Sequence, residues 1–551
     1  MFTLIFYSIL ITILTIPFAT YMTDVHELTI YKYSKDIIYG FIIISFLALL
    51  INFFFPLNIY INSLIPLISL ILFFKFKKIF LNSIFLKFLI FQTILISILI
   101  INSNVYRPDA GLYHLPYIGI LNSEKIIIGL TNLHFRYGHT SIIQYFSAVS
   151  NNFIFKDNGI IFAQAIIASA VIINFTVQIF NYNKNKKYNV HFFFLLFILI
   201  YISYKMNRYS EYGNDAPAHF LLFFLISEII KYGKFITYKQ YGNQLILSLF
   251  IVLNKITLIF LILLNFVNLK KINLNQLIFD KRTIFIFFFF TIWILKNVLV
   301  SGCAIYPLKF TCIEKLSWTN IEDIEKVQIE GESWAKGFSN QTSKNKLSHE
   351  QFLKNFNWLN SWSSVHFKLI IKILTPYLLF LFFIITMVSF KNTKSDKKIE
   401  KSNYIYLLII FICCLIWFLK SPLYRYGFSF IVSFLSLLFA IYCSHFNSFK
   451  NLHSKFFKSI LIIIILVIPS KNMFRIFKTD TNYFNSPWPK FYSMNKKNNI
   501  TIFDKINIGG LNIVTPTQGY CMYVKDLCSH YKIGSNIEIT NTKSFKIITK
   551  N

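Results

Sequence analysis

Ile79-Phe80-Leu81-Asn82-Ser83-Ile84-Phe85-Leu86-Lys87-Phe88-Leu89-Ile90-Phe91-Gln92-Thr93-Ile94-Leu95-Ile96-Ser97-Ile98-Leu99-Ile100 is an apolar run with one charge in it, Lys87. Crossing roughly 30 Å of hydrocarbon takes about 20 such residues, so the run reads as a membrane-spanning helix. Its flanks differ. Lys75, Lys77 and Lys78 precede it, whereas Arg107-Pro108-Asp109 follows. Basic residues favour the cytoplasmic side of short loops, which puts residue 79 inside and residue 100 outside.

The same pattern recurs along the chain. Of 551 residues, 55% are hydrophobic and 14% charged. A soluble surface needs more charge than that. Further apolar runs cover 2–18, 37–55, 57–75, 159–181, 188–206, 216–232, 283–301, 367–390, 403–419, 428–445 and 459–470. The expected fold is an all-α polytopic membrane domain over 1–470, with about twelve transmembrane helices, and a small extracytoplasmic C-terminal region over 471–551. No basic stretch precedes Phe2 to Phe18, so that run reads as a span rather than a cleaved signal. The net charge of +32 does not mark a nucleic-acid binder, because the Lys residues lie between apolar runs and form no basic domain.

Charge placement orients the spans. Basic connections occur at Lys184, Lys186 and Lys187, at Lys231, Lys234 and Lys239, at Lys391, Lys394, Lys397 and Lys398, and at Lys450, Lys455 and Lys458. Placing all of them in the cytoplasm leaves the N-terminus, 101–158, 207–215, 302–366, 420–427 and the tail outside. Residues 244–268 resist this scheme, since both flanks are basic and Lys255 sits at the middle. A charge at a bilayer centre is costly. Either two half-helices enter from the cytoplasm and turn at Asn254-Lys255, or one tilted span pairs Lys255 inside the bundle.

The outer segments hold the chemistry. The first contains Asp109-Ala110-Gly111-Leu112-Tyr113-His114, followed by His134-Phe135-Arg136-Tyr137-Gly138-His139. Asp109, beside the outer end of a span, is placed to take a proton from a hydroxyl arriving from water. The plainer reading is a helix cap, but the crowding of Arg107, His114, His134, Arg136 and His139 favours a site. The His spacing fits no closed zinc pattern; a divalent ion (Mg or Mn) bridging Asp109 to a phosphate is the metal reading that remains. Asp215, before Pro217, reads as a cap or as a second carboxylate in the same cavity, and His219 fits either. Arg425 lies outside, where a guanidinium either snorkels or grips an anionic headgroup. The loop 302–366 carries Tyr306, Trp318, Trp334, Trp358 and Trp362 and reads as an aromatic lid over an acceptor. Cys521 and Cys528, in an outside tail, are expected to form a disulfide.

With those residues in view, the chain resembles a family of bacterial integral membrane proteins that is itself similar to the GT-C superfamily of polyprenyl-phosphate-sugar glycosyltransferases. The resemblance rests on Asp109-Ala110-Gly111-Leu112-Tyr113-His114-Leu115, Gly129-Leu130-Thr131-Asn132-Leu133-His134-Phe135-Arg136, Asn214-Asp215-Ala216-Pro217-Ala218 and Asn254-Lys255-Ile256-Thr257. It continues with Lys296-Asn297, Ser301-Gly302, Tyr306-Pro307, Tyr424-Arg425-Tyr426-Gly427 and the Cys521 to Cys528 element, in the family's order. Two positions depart from the pattern: Lys296 stands where an arginine is expected, and Met522 where a tryptophan is.

The resemblance implies sugar transfer from a polyprenyl-phosphate donor to a glycan or lipid acceptor, in cell-envelope polysaccharide biosynthesis. The enzyme would sit in the bacterial inner membrane with its site facing the periplasm or exterior. Asp109 would be the general base, with Asp215 and His114 beside it. Lys255, Arg425 and Arg136 would hold the donor phosphate, and Tyr306 and Trp318 would face the acceptor. No cofactor follows beyond the divalent ion already named. Two other classes stay open: a glycan polymerase or ligase, which needs no proton acceptor at 109, and a lipid or solute transporter, which expects ionisable residues deep in several spans.

Overall fold

A computed structural model describes residues 2–23, 28–100, 108–207, 209, 212–233, 235–341, 346–389, 399–446, 451–478, 503–531, 536–542 and 544–550. Arg107, Lys234, Lys450 and the basic run 391–398 lie outside the described residues. Among the described residues, nine helices are long and apolar enough to cross a membrane: Phe2–Thr20, Ile30–Asn52, Ser83–Ile100, Lys156–Lys184, Lys281–Ser301, Leu359–Ser389, Lys401–Lys420, Tyr424–Ser444 and Ser454–Arg475. Three shorter apolar helices cover Ile59–Lys75, Val190–Lys205 and Ile256–Leu269. The helix Asp215–Tyr232 is apolar but carries Asp215, Glu228 and Lys231. The chain is therefore a mostly helical, multi-pass membrane protein.

Position in the bundle follows side-chain size and polarity. Most of Lys156–Lys184 is buried, and it presents Ala163, Ala165, Ala168, Ser169 and Ala170 to its neighbours. Small side chains let helices approach closely where lipid gives no hydrophobic drive for association. Lys281–Ser301, rich in Phe, is mostly unburied and turns Phe287, Phe288 and Phe290 outward.

The connections sort into two opposite groups. At one end, Leu99 O accepts from Tyr209 N (2.8 Å), Trp318 O accepts from Asn132 Nδ2 (2.9 Å), and Gly111 O accepts from Met522 N (3.0 Å). Among the described residues, these bonds tie Tyr209 to the end of Ser83–Ile100 and hold the segment around Gly111 and Asn132 to Trp318 and to Met522 of the tail. At the other end, Tyr33 donates to Ile79 O (2.5 Å), Asn183 to Ser454 O (3.1 Å), Tyr406 to Asn268 Oδ1 (2.9 Å) and Arg282 to Met22 O (2.8 Å).

Residues 238–269 double back. The helix Tyr238–Asn254, started by a Thr237–Gln240 capping box, stops at Lys255 (φ −149°, ψ 99°) and returns through Ile256–Ile262 and Leu263–Leu269. Tyr241 donates to Asn265 O (3.2 Å) and Asn265 to Ser248 Oγ (2.8 Å). A straight helix would hold residues 241 and 265 about 36 Å apart at 1.5 Å per residue. The segment is thus a pair of short helices with Lys255 at the turn, and the single tilted span is ruled out by geometry.

The tail, for which the sequence predicted a small separate region without assigned elements, holds short strands. Residues Phe503–Ile508 (β1), Leu511–Pro516 (β2), Leu527–Cys528 (β3), Ile537–Asn541 (β4) and Lys546–Lys550 (β5) form a three-stranded sheet, β1–β2–β3, and a β4–β5 hairpin. β5 also pairs in parallel with Ile128, Ile548 N donating to Ile128 O at 2.9 Å. The strands expose Asp504, Lys505 and Asn507 on both faces of β1, so no clean period of two marks them.

Candidate functional site

Asp109 stands before the short helical turn Ala110–His114, yet its carboxylate makes no capping bond. It is instead shared between two guanidinium groups. Asp109 Oδ2 accepts from Arg425 Nη1 at 2.9 Å, and Oδ1 lies 3.5 Å from Arg136 Nη1. Arg425 comes from the start of Tyr424–Ser444 and Arg136 from the turn Phe135–His139, so two distant parts of the chain meet on one acid.

Lys255 joins this cluster from the turn of the helix pair. Its ammonium is paired with Asp215, donates to Arg425 O (3.2 Å) and lies 4.4 Å from the Tyr426 ring centre. Asp215 is the first residue of the helix Asp215–Tyr232, and its carboxylate pairs with Lys255. Asn214 and Asn254 tie the two segments by reciprocal side-chain to backbone bonds of 2.9 and 3.4 Å. His219 is fully buried and structural: it bonds Ser429 Oγ (2.6 Å) and Arg425 O (2.8 Å), fixing the backbone that carries Arg425.

His114 lies behind the acid. Gln144 accepts from Ser141 N with its oxygen (2.8 Å), so its amide nitrogen donates to His114 Nδ1 (3.1 Å). That leaves the His114 Nε2–H directed at Gly213, where a Cβ would meet Nε2 at 3.7 Å. His134 likewise accepts at Nδ1, from Arg136 N (3.2 Å), and so orients Arg136. Burial holds both imidazoles neutral, His114 down to about 4 and His134 to about 3. Neighbouring Asp109 partly offsets the effect at His114, whereas His530 and Arg136 add to it at His134.

These depressed values make stability fall with acid. An unfolded imidazole takes a proton below its ordinary value near 6.5, and the folded one resists until about 4 or 3. Stability is complete above 6.5 and is lost as pH falls toward the folded values. At about pH 5 the loss is on the order of 2 kcal/mol for each group. Melting temperature recorded against pH should drop below neutrality, and His134→Asn should flatten that slope; an unchanged slope would refute the assignment.

The lid residues chosen from sequence do not enter the cluster. Tyr306 packs on Gly138 and His139, its ring centre 5.2 Å from that of His139. Trp318 donates to Val298 O (3.0 Å) and abuts Gly129. The tryptophan that reaches the site is Trp334, from the helix Ile321–Ala335, whose ring centre is 5.6 Å from Arg425 Cζ. The same loop docks beside it through Trp362 Nε1, which donates to Pro422 O (2.7 Å). Two disulfides brace this end of the molecule, Cys303–Cys312 and Cys521–Cys528. The first was missed from sequence, although two Cys nine residues apart in one outer loop were signal enough.

No group of three or more His, Cys, Asp and Glu gathers among the described residues. Both oxygens of Asp109 face guanidinium groups, which repel a metal ion, so the residues present do not fit a divalent ion at Asp109. What the arrangement suits is an anion with several oxygens, flanked by an acid able to take a proton.

Residues 1–432 match one protein family, described as "Domain of unknown function (DUF8201)". No curated protein and no solved structure matches the chain.

Proposed function

The chain belongs to the DUF8201 family, and we propose that it is a membrane glycosyltransferase moving a sugar from a polyprenyl-phosphate donor to an extracytoplasmic glycan or lipid acceptor. In this reading about twelve helices span a bacterial inner membrane, the shorter apolar helices and Asp215–Tyr232 included. The fold is GT-C-like, and the Asp109 end faces the periplasm or exterior. The observation that carries the reading is the sharing of one acid, Asp109, by Arg425 and Arg136, with Lys255 beside them at the end of an apolar bundle. A lipid phosphate can reach such a site from the bilayer while a hydroxyl arrives from water.

The chemistry follows from competition. The donor phosphate displaces the Asp109 carboxylate from the two arginines, because a guanidinium binds either anion by the same charge-assisted bonds. Freed, Asp109 takes the proton of the acceptor hydroxyl as its oxygen bonds to the anomeric carbon. The bond from that carbon to the phosphate oxygen breaks, and the electron pair stays on the lipid phosphate. Arg425, Arg136 and Lys255 stabilise the growing charge. Donor therefore binds before acceptor.

The test is transfer itself. Purified protein in liposomes, given labelled polyprenyl-phosphate sugars and a glycan acceptor, should move label to the acceptor. No transfer with any donor, together with no binding of a prenyl phosphate, would end the reading. A transporter is kept as second because Lys35–Glu228 (2.5 Å) and Lys32–Asp36 (2.7 Å) lie buried at the opposite end of the bundle. Counterflow of a labelled solute in the same liposomes would favour it.

A further inference from the structure

If a hydroxyl reaches Asp109 from water, whatever carries it lies on the side chains that frame the acid there. Large rings frame it on both sides. On the Arg425 side stands Trp334, 50% exposed, its ring centre 5.6 Å from Arg425 Cζ. On the Arg136 side stands Phe135, half-buried, its ring centre 5.5 Å from Arg136 Cζ. Tyr531 of the tail extends that side. Its ring centre is 6.4 Å from that of Phe135, it stacks on His134 at 5.3 Å, and it is 59% exposed. Arg425 meets Oδ2 of Asp109 and Arg136 lies toward Oδ1, so the two ring systems adjoin the acid through different oxygens.

These rings belong to segments that suit water better than lipid. Trp334 is on Ile321–Ala335, which carries Glu322, Asp323, Glu325, Glu330 and Glu332 against one Lys326. Ionised side chains at that density keep a helix out of hydrocarbon. Tyr531 follows a sheet whose first strand exposes Asp504 and Lys505. An indole left half in water gains free energy when an apolar face covers it. The occupant must also bring a hydroxyl. A pyranose ring meets both needs: one face of C–H groups lies flat on an aromatic ring, and its hydroxyls stand at the edge, where the carboxylate and the guanidinium groups can bond them. An acyl chain would cover the rings but offer those charged groups nothing. The donor phosphate and the freed Asp109 repel an acidic sugar.

We propose that the acceptor is a neutral glycan, its terminal sugars held on Trp334 and on the Phe135–Tyr531 pair and one hydroxyl presented to Asp109. This rests on the sugar-transfer reading above. It replaces Tyr306 and Trp318, the acceptor residues expected from sequence, by rings that adjoin the acid. The tail then supplies a binding side chain of its own, Tyr531.

Hexasaccharides of glucose, of mannose and of N-acetylglucosamine are the probes, with farnesyl phosphate beside them and binding measured by thermophoresis on nanodisc-embedded protein. Wild type should bind at least one hexasaccharide, and more tightly once farnesyl phosphate has freed Asp109. Trp334→Leu should weaken that binding about ten-fold and Tyr531→Leu about three-fold, while Trp334→Phe keeps most of it. Farnesyl phosphate binding should stay unchanged in all three, which also shows that they fold. Hexasaccharide binding that ignores Trp334→Leu would overturn the inference. Equal weakening of sugar and farnesyl phosphate would do the same, because the ring would then serve only to hold Arg425. Farnesyl phosphate bound with no hexasaccharide would assign the acceptor to a lipid and leave the sugar-transfer reading standing. Binding of neither probe would sink both.

Discussion

Asp109→Asn should abolish sugar transfer and at the same time tighten the grip on a lipid phosphate. The two effects have one cause. In the proposed mechanism the carboxylate that accepts the proton is also the anion that pairs with Arg425 and Arg136 when no donor is bound. Asparagine keeps the size and can still accept from Arg425, but it carries no charge to compete and is no base. Losing a positioned general base lowers the rate by about 10²- to 10⁴-fold. Losing a competing charge should improve binding of farnesyl phosphate by roughly ten-fold, within the range of hydrogen bonds to charged groups. Turnover and equilibrium binding measured on one preparation decide the matter. Normal turnover would remove Asp109 from the chemistry. Weaker binding would show that Asp109 helps to hold the donor, through a metal or by positioning, and would refute the competition. A defect in folding would weaken both and so cannot imitate the opposed pair.

The same acid shows what was legible before the structure. Runs such as 79–100 are legible because hydrocarbon thickness imposes a length and an absence of charge. The two ends of a span differ in sequence, since Lys75, Lys77 and Lys78 mark one end of 79–100 and Asp109 follows the other. Which polar residues meet is only partly so. That Asp109, Arg425 and Lys255 belong together could be read from charges crowded at one end of the spans. The pairing of Asp215 with Lys255 could not, because a carboxylate before Ala216-Pro217 looks equally like a cap, whereas Asp215 is the first residue of its helix and pairs with Lys255. Among the tryptophans of 302–366, composition cannot choose. Trp334 reaches Arg425 because the helix Ile321–Ala335 is laid against that end, while Trp318 is held on Val298 O. The strands of 503–550 were invisible for a different reason. They are short, and β5 takes Ile128 as a partner more than four hundred residues away.

That distant partner makes the tail a part of the site, and separating it should silence the protein as completely as losing the acid does. Met522 N donates to Gly111 O, two residues from Asp109, and a Cβ on Gly111 would lie 2.6 Å from Met522 Sδ and 2.9 Å from Tyr520 Cβ. The hydroxyl of Tyr523 donates to Asn122 Oδ1 (3.0 Å) and accepts from Asn151 (2.8 Å), while Ser123 donates to Lys525 O (2.7 Å). The Cys521–Cys528 bond closes this loop into the shape that fits. Closing a loop of that size contributes about 2 to 3 kcal/mol in the chain-entropy account. The opposite surface can be spoiled without touching a cysteine. A methyl group on Gly119 would stand 1.8 Å from the carbonyl oxygen of Val524, a backbone atom that cannot turn aside. Such overpacking costs about 1 to 3 kcal/mol. Gly119→Ala and the double substitution Cys521→Ser with Cys528→Ser should therefore give one phenotype: residues 503–551 become open to protease, and transfer falls by about 10²-fold or more as Gly111 and the turn that aims Asp109 lose their backing. Limited proteolysis beside a transfer assay reads both. A tail that is cleaved away while transfer continues would mean that the strands merely decorate the bundle, and the turn at Asp109 would have to hold its shape through His114 and Gln144 alone.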